Sequence, residues 1–268
     1  MESSPHFYPV EPIKPAAPYL GGKRNLAKRL VALIETIPHR TYAEPFVGLG
    51  GVFFRRRLRP QAEVINDYSR DIWTFFRVLQ DHYVAFIELI RFQISSRAEF
   101  DRLKALDPAN LTDLQRAARF LYLQRQAFGG KVDHRNFGIS LHRPARFDIT
   151  RLAGDLADIH ARLSGVDIEC QTWSAFMARR DSPETLFYLD PPYWNCETDY
   201  GPGMFARADF AALAEALKGV RGRFVMSLND VPGVRETFAD FVIEGVKTHY
   251  GIAGTGAAAA REVIITNR

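Results

Sequence analysis

Only two cysteines, Cys170 and Cys196, occur among the 268 residues. They are too few for a disulfide framework and lack the paired spacing that holds zinc, so a reducing cytoplasm is the expected setting. The seven histidines show no ligand spacing either, and no metal is expected. Long apolar runs are missing as well. None approaches the ~18 residues of a membrane helix, and the first eighteen residues hold Pro5, Pro9, Pro12, Pro15 and Pro18 where a signal peptide would have an apolar core. Membrane insertion and export by that route are not expected. Disorder is not expected either, because 47% of the residues are hydrophobic and the length suffices for one large domain, with or without a smaller one inserted.

The formal charge is +4, and its distribution is more telling than its sum. Between Arg91 and Arg146 eleven Lys and Arg face five Asp and Glu, so the middle of the chain carries the positive charge and the rest is slightly acidic. Periodicity divides the chain in the same way. The proline-studded start cannot form helix and is expected to lie extended over the body or to remain mobile. Leu26, Leu30, Leu33, Ile34 and Ile37 then recur at helical spacing. Thr41–Glu44 and Ala62–Ile65 read as strands, with a glycine-rich turn after the first and a helix restarting at Val52. From Asp71 to Phe128 the period is helical, with interruptions near Ser95-Ser96 and Asp107-Pro108, which predicts about three helices. Residues 129–146 read as an exposed loop or ribbon, and Asp148 as the cap of a helix running to Ser164. Strand-like runs at 166–170, 186–189, 224–228, 241–246 and 263–266, with a helix over 207–218, complete the pattern. Alternation of this kind predicts an α/β doubly wound sheet built from both ends of the chain, with a mainly helical basic insert.

The most specific signal is Asp190-Pro191-Pro192-Tyr193, directly after the apolar run 186–189. At average residue usage this tetrapeptide arises by chance in roughly one chain in a thousand of this length. Ligands of open α/β sheets bind outside the carboxyl ends of strands, and two prolines there would fix a carboxylate and a carbonyl on one small group. An aromatic amine needs that arrangement. Its lone pair is delocalised into the ring until hydrogen bonds donated to acceptors pyramidalise the nitrogen, and Asp190 with the Pro191 carbonyl would be those acceptors. Tyr193 would stack on the ring of an everted base. Upstream, Gly48, Gly50 and Gly51 let the backbone approach a ligand closely. The segment has neither the Lys-Ser/Thr of a phosphate loop nor a dinucleotide fingerprint, so a nucleoside without phosphates fits better. Asp67, about twenty residues on, either accepts from ribose hydroxyls or caps the following helix.

Asp190-Pro-Pro-Tyr193, the earlier Ala43-Glu-Pro-Phe-Val-Gly-Leu-Gly50 and the early Tyr19-Leu-Gly-Gly-Lys23 together resemble the Dam-type adenine-specific DNA methyltransferases. The motif order places a target-recognition segment between cofactor and catalytic motifs, and Glu262–Asn267 is similar to the family's last strand. The resemblance implies a Rossmann-like methyltransferase domain over residues 19–72 and 148–268, an inserted target-recognition domain over 73–147, and a proline-rich segment over 1–18. It implies S-adenosylmethionine as methyl donor, double-stranded DNA as partner and a prokaryotic or phage source. Tyr19, Lys23 and Phe46 correspond to cofactor contacts, with Lys23 near the methionine carboxylate. Trp173 stands where the family has an aromatic on the cofactor's adenine, although Thr172 replaces the acidic residue before it. An ordinary core tryptophan is the other reading.

Phosphates are the natural partner of the basic insert. Arg125, Lys131, Arg135, Asn136 and Arg143 are the candidates for reading base edges, since Arg and Asn pair with guanine and adenine in the major groove. Phe128-Gly-Gly130 and Asn136-Phe-Gly138 match the family's recognition hairpin only in part, so the resemblance does not fix the target sequence. Two rivals remain at this point: a methyltransferase of the same fold acting on cytosine N4 or on RNA, and a DNA-binding protein that has lost catalysis.

Overall fold

A computed structural model describes residues 6–23, 25–139, 142, 144–250 and 258–267. The chain enters as an extended segment in which β1 (Tyr8–Pro9) pairs antiparallel with β3 (Leu58–Arg59), while Ala16 and Ala17 are buried against the body. Two insert side chains hold this segment: Arg125 donates to the Ala16 carbonyl at 2.6 Å and Gln124 to that of Pro18 at 2.8 Å. Prolines remove the donors that helix would need, and the carbonyls they leave are satisfied from outside.

After α1 (Ala27–Thr36) come β2 (Thr41–Glu44) and β4 (Ala62–Asn66). The helix expected at Val52 is a single 3-10 turn, Phe53–Arg55, because the loop returns at once to β3. Four helices follow, α2 (Arg70–Asp81), α3 (Tyr83–Ile90), α4 (Arg97–Ala105) and α5 (Asp113–Gln126), where the sequence suggested three. The extra break falls at His82, whose φ of −129° and ψ of 29° leave the helical region with no proline or glycine to signal it. The other stops follow the expected chemistry: Ser96 caps α4, and Thr112 with Gln115 forms a capping box on α5. Asp148 caps α6 (Ile149–Leu163) as expected.

The remainder is β5 (Asp167–Glu169), α7 (Trp173–Arg180), β6 (Thr185–Leu189), α8 (Arg207–Lys218), β7 (Arg223–Asn229), α9 (Pro232–Thr237), β8 (Val242–Tyr250) and β9 (Ala258–Thr266). Ala258 to Ala260, which the sequence placed ahead of the last strand, belong to β9 and pair with Thr248 to Tyr250.

Seven strands form one sheet in the order β5-β4-β2-β6-β7-β9-β8, and only β9 runs against the others. Its central strands are covered on both faces, which is why β6, Thr-Leu-Phe-Tyr-Leu, is buried throughout and reads as an apolar run rather than an alternation. Leu186 and Tyr188 point into the core with α1 to α6, Phe187 and Leu189 into the core with α7 to α9. From β2 the chain winds outward to β4 on one side, and from β6 to β7 on the other. Between β2 and β6 the strand order therefore reverses, and the carboxyl ends of these two neighbours open a crevice.

Candidate active site

Both principal motifs lie at that reversal. β2 delivers Glu44-Pro-Phe-Val-Gly48 and β6 delivers Asp190-Pro-Pro-Tyr193, so the parallel register Ala43↔Phe187 places the glycine loop beside the catalytic candidate. A cavity of about 1300 Å³ opens above them. Single small-molecule pockets occupy roughly 300–1,000 Å³, so two ligands have room to meet. Tyr19, Lys23, Phe46, Gly48, Asp67 and Trp173, all expected beside the cofactor, line it together with Asp190.

Asp190 is held by Lys23 and Ser227. Lys23 Nζ lies 2.8 Å from Asp190 Oδ1 and donates to the Tyr193 hydroxyl at 2.6 Å. Ser227 Oγ, on β7, donates to the same carboxylate oxygen at 3.3 Å and is 2.9 Å from the Tyr188 hydroxyl. The Asp190 carboxyl, 22% exposed, thus keeps a face toward the cavity, while Lys23 is closed off at 2% exposure. Burial pushes the Asp190 pKa up to about 6, against the opposing pull of Lys23. The ammonium anticipated near the cofactor carboxylate already has a protein anion in Asp190.

Tyr193 stands differently from expectation. It is half-buried, its ring lies 4.2 Å from Lys23 Nζ, its hydroxyl is hydrogen-bonded to Glu262 as well, and neither it nor Pro191 lines the cavity; Pro192 does. Just beyond, Asn229 at the end of β7 clamps the chain by accepting from Trp194 N at 2.9 Å and donating to Trp194 O at 3.1 Å.

On the β2 side, Asp67 accepts from Gly48 N and Ser69 N, both at 2.9 Å. The N-cap of α2 is Ser69, so Asp67 is not the helix cap; its carboxylate ties the glycine loop to the turn ahead of α2 and also faces the cavity. Burial raises its pKa to about 6. Gly48 has φ of +53°, and a Cβ there would come within 3.0 Å of the Tyr19 ring. Gly50, at φ +74°, lies outside the lining; a Cβ would strike the Phe54 ring at 2.4 Å, so this glycine serves close packing under the loop. Phe46 meets Phe205 edge to face at 5.9 Å, and Trp173 opens α7 half-buried at the cavity wall. A hydrophobic wall, a glycine cradle and a buried carboxylate suit a nucleoside with a zwitterionic tail.

The structure adds groups that sequence patterns did not single out. Tyr188, Ser227 and Glu262 surround Asp190, and Tyr200 donates to the Leu20 carbonyl at 3.1 Å above Tyr19. Glu44 lines the cavity with its pKa raised by burial to about 8, accepting from the Tyr42 hydroxyl. Glu44 and Glu262 belong to the family-like segments 43–50 and 262–267, whereas Ser227 and Tyr188 read only as strand residues.

The expected DNA readers divide. Lys131 and Asn136 are exposed. Arg125 is committed to the carbonyls of Ala16 and Arg146, and Arg135 donates to Lys131 O at 3.3 Å and Gln124 Oε1 at 3.2 Å. Arg143 lies outside the described residues. Among the described residues no group of three His, Cys, Asp or Glu could hold a metal ion, and no helix is long and apolar enough to cross a membrane.

A strand-order reversal carrying a glycine cradle on one side and Asp-Pro-Pro-Tyr on the other defines a methyltransferase of the Rossmann-like class. Residues 19–252 match the family model of the D12 class N6 adenine-specific DNA methyltransferases, and the chain belongs to that family. It is 27% identical to the type II methyltransferase M1.LlaDCHI of Lactococcus lactis subsp. cremoris, over 95% of each chain. It is 20% identical to the type II methyltransferase M.CviBI of Paramecium bursaria Chlorella virus NC1A, covering 86% of this chain and 88% of that one. Against the DNA N-6-adenine-methyltransferase of Escherichia phage P1 it is 26% identical, over 85% of this chain and 32% of the longer relative.

Proposed function

We infer that the chain methylates the N6 amino group of an adenine swung out of double-stranded DNA, with Asp190 at the acceptor and Tyr19, Lys23, Phe46, Gly48, Asp67 and Trp173 around the donor. The observation that carries this reading is the Asp190 carboxylate at the end of β6, turned to a cavity large enough for two ligands and adjoining the Gly48 cradle. S-adenosylmethionine, when bound, supplies an electrophilic methyl on its sulfonium. The residues do the rest. Asp190 accepts a hydrogen bond from the amino group, which gathers the lone pair on nitrogen, and it is the base to which the proton released from N6 goes. Fixing the reactants in line supplies most of the acceleration, so no cysteine nucleophile is required. The helical insert over residues 73–147 presents DNA to this cleft, with Lys131 and Asn136 free to reach bases and Arg125 and Arg135 shaping the surface.

Genomic DNA from a cell expressing the protein tests this directly. Sequencing that detects modified bases should show N6-methyladenine confined to one short motif. N4-methylcytosine instead, or modification of RNA alone, would replace the acceptor assignment, and unmodified nucleic acid with tight DNA binding would favour a protein that has lost catalysis.

Titration provides a second test. With its pKa near 6, Asp190 is ionised and able to accept at pH 7.5 and becomes a donor below 6. kcat should therefore fall about tenfold per pH unit beneath that point. Asp67 titrates in the same range, so KM for the methyl donor should rise over the same interval, making kcat/KM fall more steeply than kcat. A flat kcat from pH 8 to 5 would contradict the role of Asp190.

Asp67→Asn isolates the donor side. The variant keeps one acceptor for Gly48 N but loses a charge-assisted bond to ribose, worth about 1.5–3 kcal/mol. Calorimetry should show donor affinity reduced roughly 10- to 100-fold with kcat at saturation nearly unchanged. Wild-type affinity in this variant would leave Asp67 as a loop clamp alone.

A further inference from the structure

Outside the cleft, the segment joining α3 to α4 has an unusual combination of rigidity and exposure. Phe92 is 83% exposed and Ile94 70%. Isolated apolar side chains on a surface need no explanation, but these stand on a loop fixed from beneath. The buried Tyr122 hydroxyl donates toward the carbonyls of Ile94 and Ser96 at 2.9 and 3.0 Å and accepts from Ser96 N at 2.9 Å. Gln126, 1% exposed, donates to Ser95 Oγ. The loop cannot fold its apolar pair inward without breaking these bonds.

The same end of α5 holds a second loop with an exposed apolar residue and leads to the cleft. Gly138 N donates to Gln126 O at 2.8 Å, next to Ile139, which is 64% exposed. One position before Gln126, Arg125 lines the cavity, and Gly130 O accepts from Leu20 N at 3.0 Å in its wall. Arginines flank the apolar residues: the Arg91 guanidinium lies 5.2 Å from the Phe92 ring and that of Arg97 5.0 Å from the Phe137 ring.

We propose that Phe92 and Ile94 form an apolar wedge that enters the DNA base stack beside the everted adenine, with Arg91 and Arg97 on the flanking phosphates. This rests on the function proposed above. Proteins that unstack a duplex insert apolar side chains from a basic surface, and a base drawn out of the stack leaves a gap that must be filled. Charge selects DNA over a second copy of this chain as the occupant: self-association would bring two basic segments face to face, whereas a polyanion relieves that repulsion.

The probe is a duplex carrying the methylated motif found by sequencing, with 2-aminopurine at the target adenine. Phe92→Ala/Ile94→Ala removes two exposed side chains, so the fold and the affinity for S-adenosylmethionine should be unchanged. The duplex Kd should rise about tenfold and the fluorescence gain on base eversion should fall by more than half. Phe92→Trp in place of the alanine should restore both. Val84→Ser, another exposed apolar position on α3, should change neither. Unchanged Kd and fluorescence in the double variant would overturn the wedge, as would sedimentation showing a wild-type dimer that the variant dissolves without any effect on DNA. A wild-type protein that neither methylates nor binds the duplex would instead remove the underlying function, so the two failures are distinguishable.

Discussion

Asp190→Asn is expected to lower kcat by about 10²–10⁴-fold, the range lost when a single positioned acid–base or charge-stabilising group is removed. Asparagine preserves the shape and one acceptor, but its amide cannot take a proton from N6. The change also reaches Lys23, whose ammonium is 2% exposed and sits 2.8 Å from the carboxylate. Losing the partner of a buried charge costs about 3–5 kcal/mol, so part of any activity loss could come from unfolding. Asp190→Ala would aggravate that, because it also opens a void. A Lys23→Met background removes the stranded ammonium. In that background the fold should recover, as read by thermal melting, while methyl transfer stays lost. More than a tenth of wild-type kcat in folded Asp190→Asn protein would take Asp190 out of the reaction.

Glu63→Gln should be the most destabilising single change beneath the cleft, by about 3–5 kcal/mol and near 10 °C in Tm. Glu63, on β4, is 6% exposed and accepts from both guanidinium nitrogens of Arg162 at 2.7 Å and from Arg56. The arginines are nearly closed off and stack on Tyr42 and Phe53. Burial lowers both their pKa values to about 10, yet they remain charged at neutral pH. Without the carboxylate two cations face each other in the core. Tyr42 joins this cluster to Glu44 in the cavity wall, so Glu63→Gln should also weaken donor binding. Replacing Arg56, Glu63 and Arg162 together by apolar residues of similar volume should restore most of the stability. Calorimetric melts of the two variants check this; less than 1 kcal/mol lost in Glu63→Gln would mean that water reaches the cluster.

Much of this architecture could be read from the chain because local signals agreed with it. β6 is an apolar run closed by Asp-Pro-Pro, α8 occupies the predicted 207–218, and Asp148 caps α6 as its turn chemistry indicates. What was missed depends on contacts between distant segments. His82 ends α2 without a breaker residue, and the 3-10 turn at 53–55 is set by the return to β3. Lys23 meets Asp190 across a separation of 167 positions, so its ion pair has no trace in spacing. Ser227 and Tyr188 look like any strand residues until β6 and β7 pair. Charge alone does not tell the exposed Lys131 from Arg125, which is bound to two backbone carbonyls.

The strand order has a consequence for biosynthesis. β2 needs β4 on one flank and β6 on the other, and β6 leaves the ribosome only after the whole helical insert has been made. At about 5–20 residues per second, one edge of the growing sheet stays bare for roughly ten seconds or more while aromatic helices accumulate beside it. A polypeptide stopped before Thr185 would retain that open edge indefinitely, which makes interrupted translation products of this protein natural clients for chaperones.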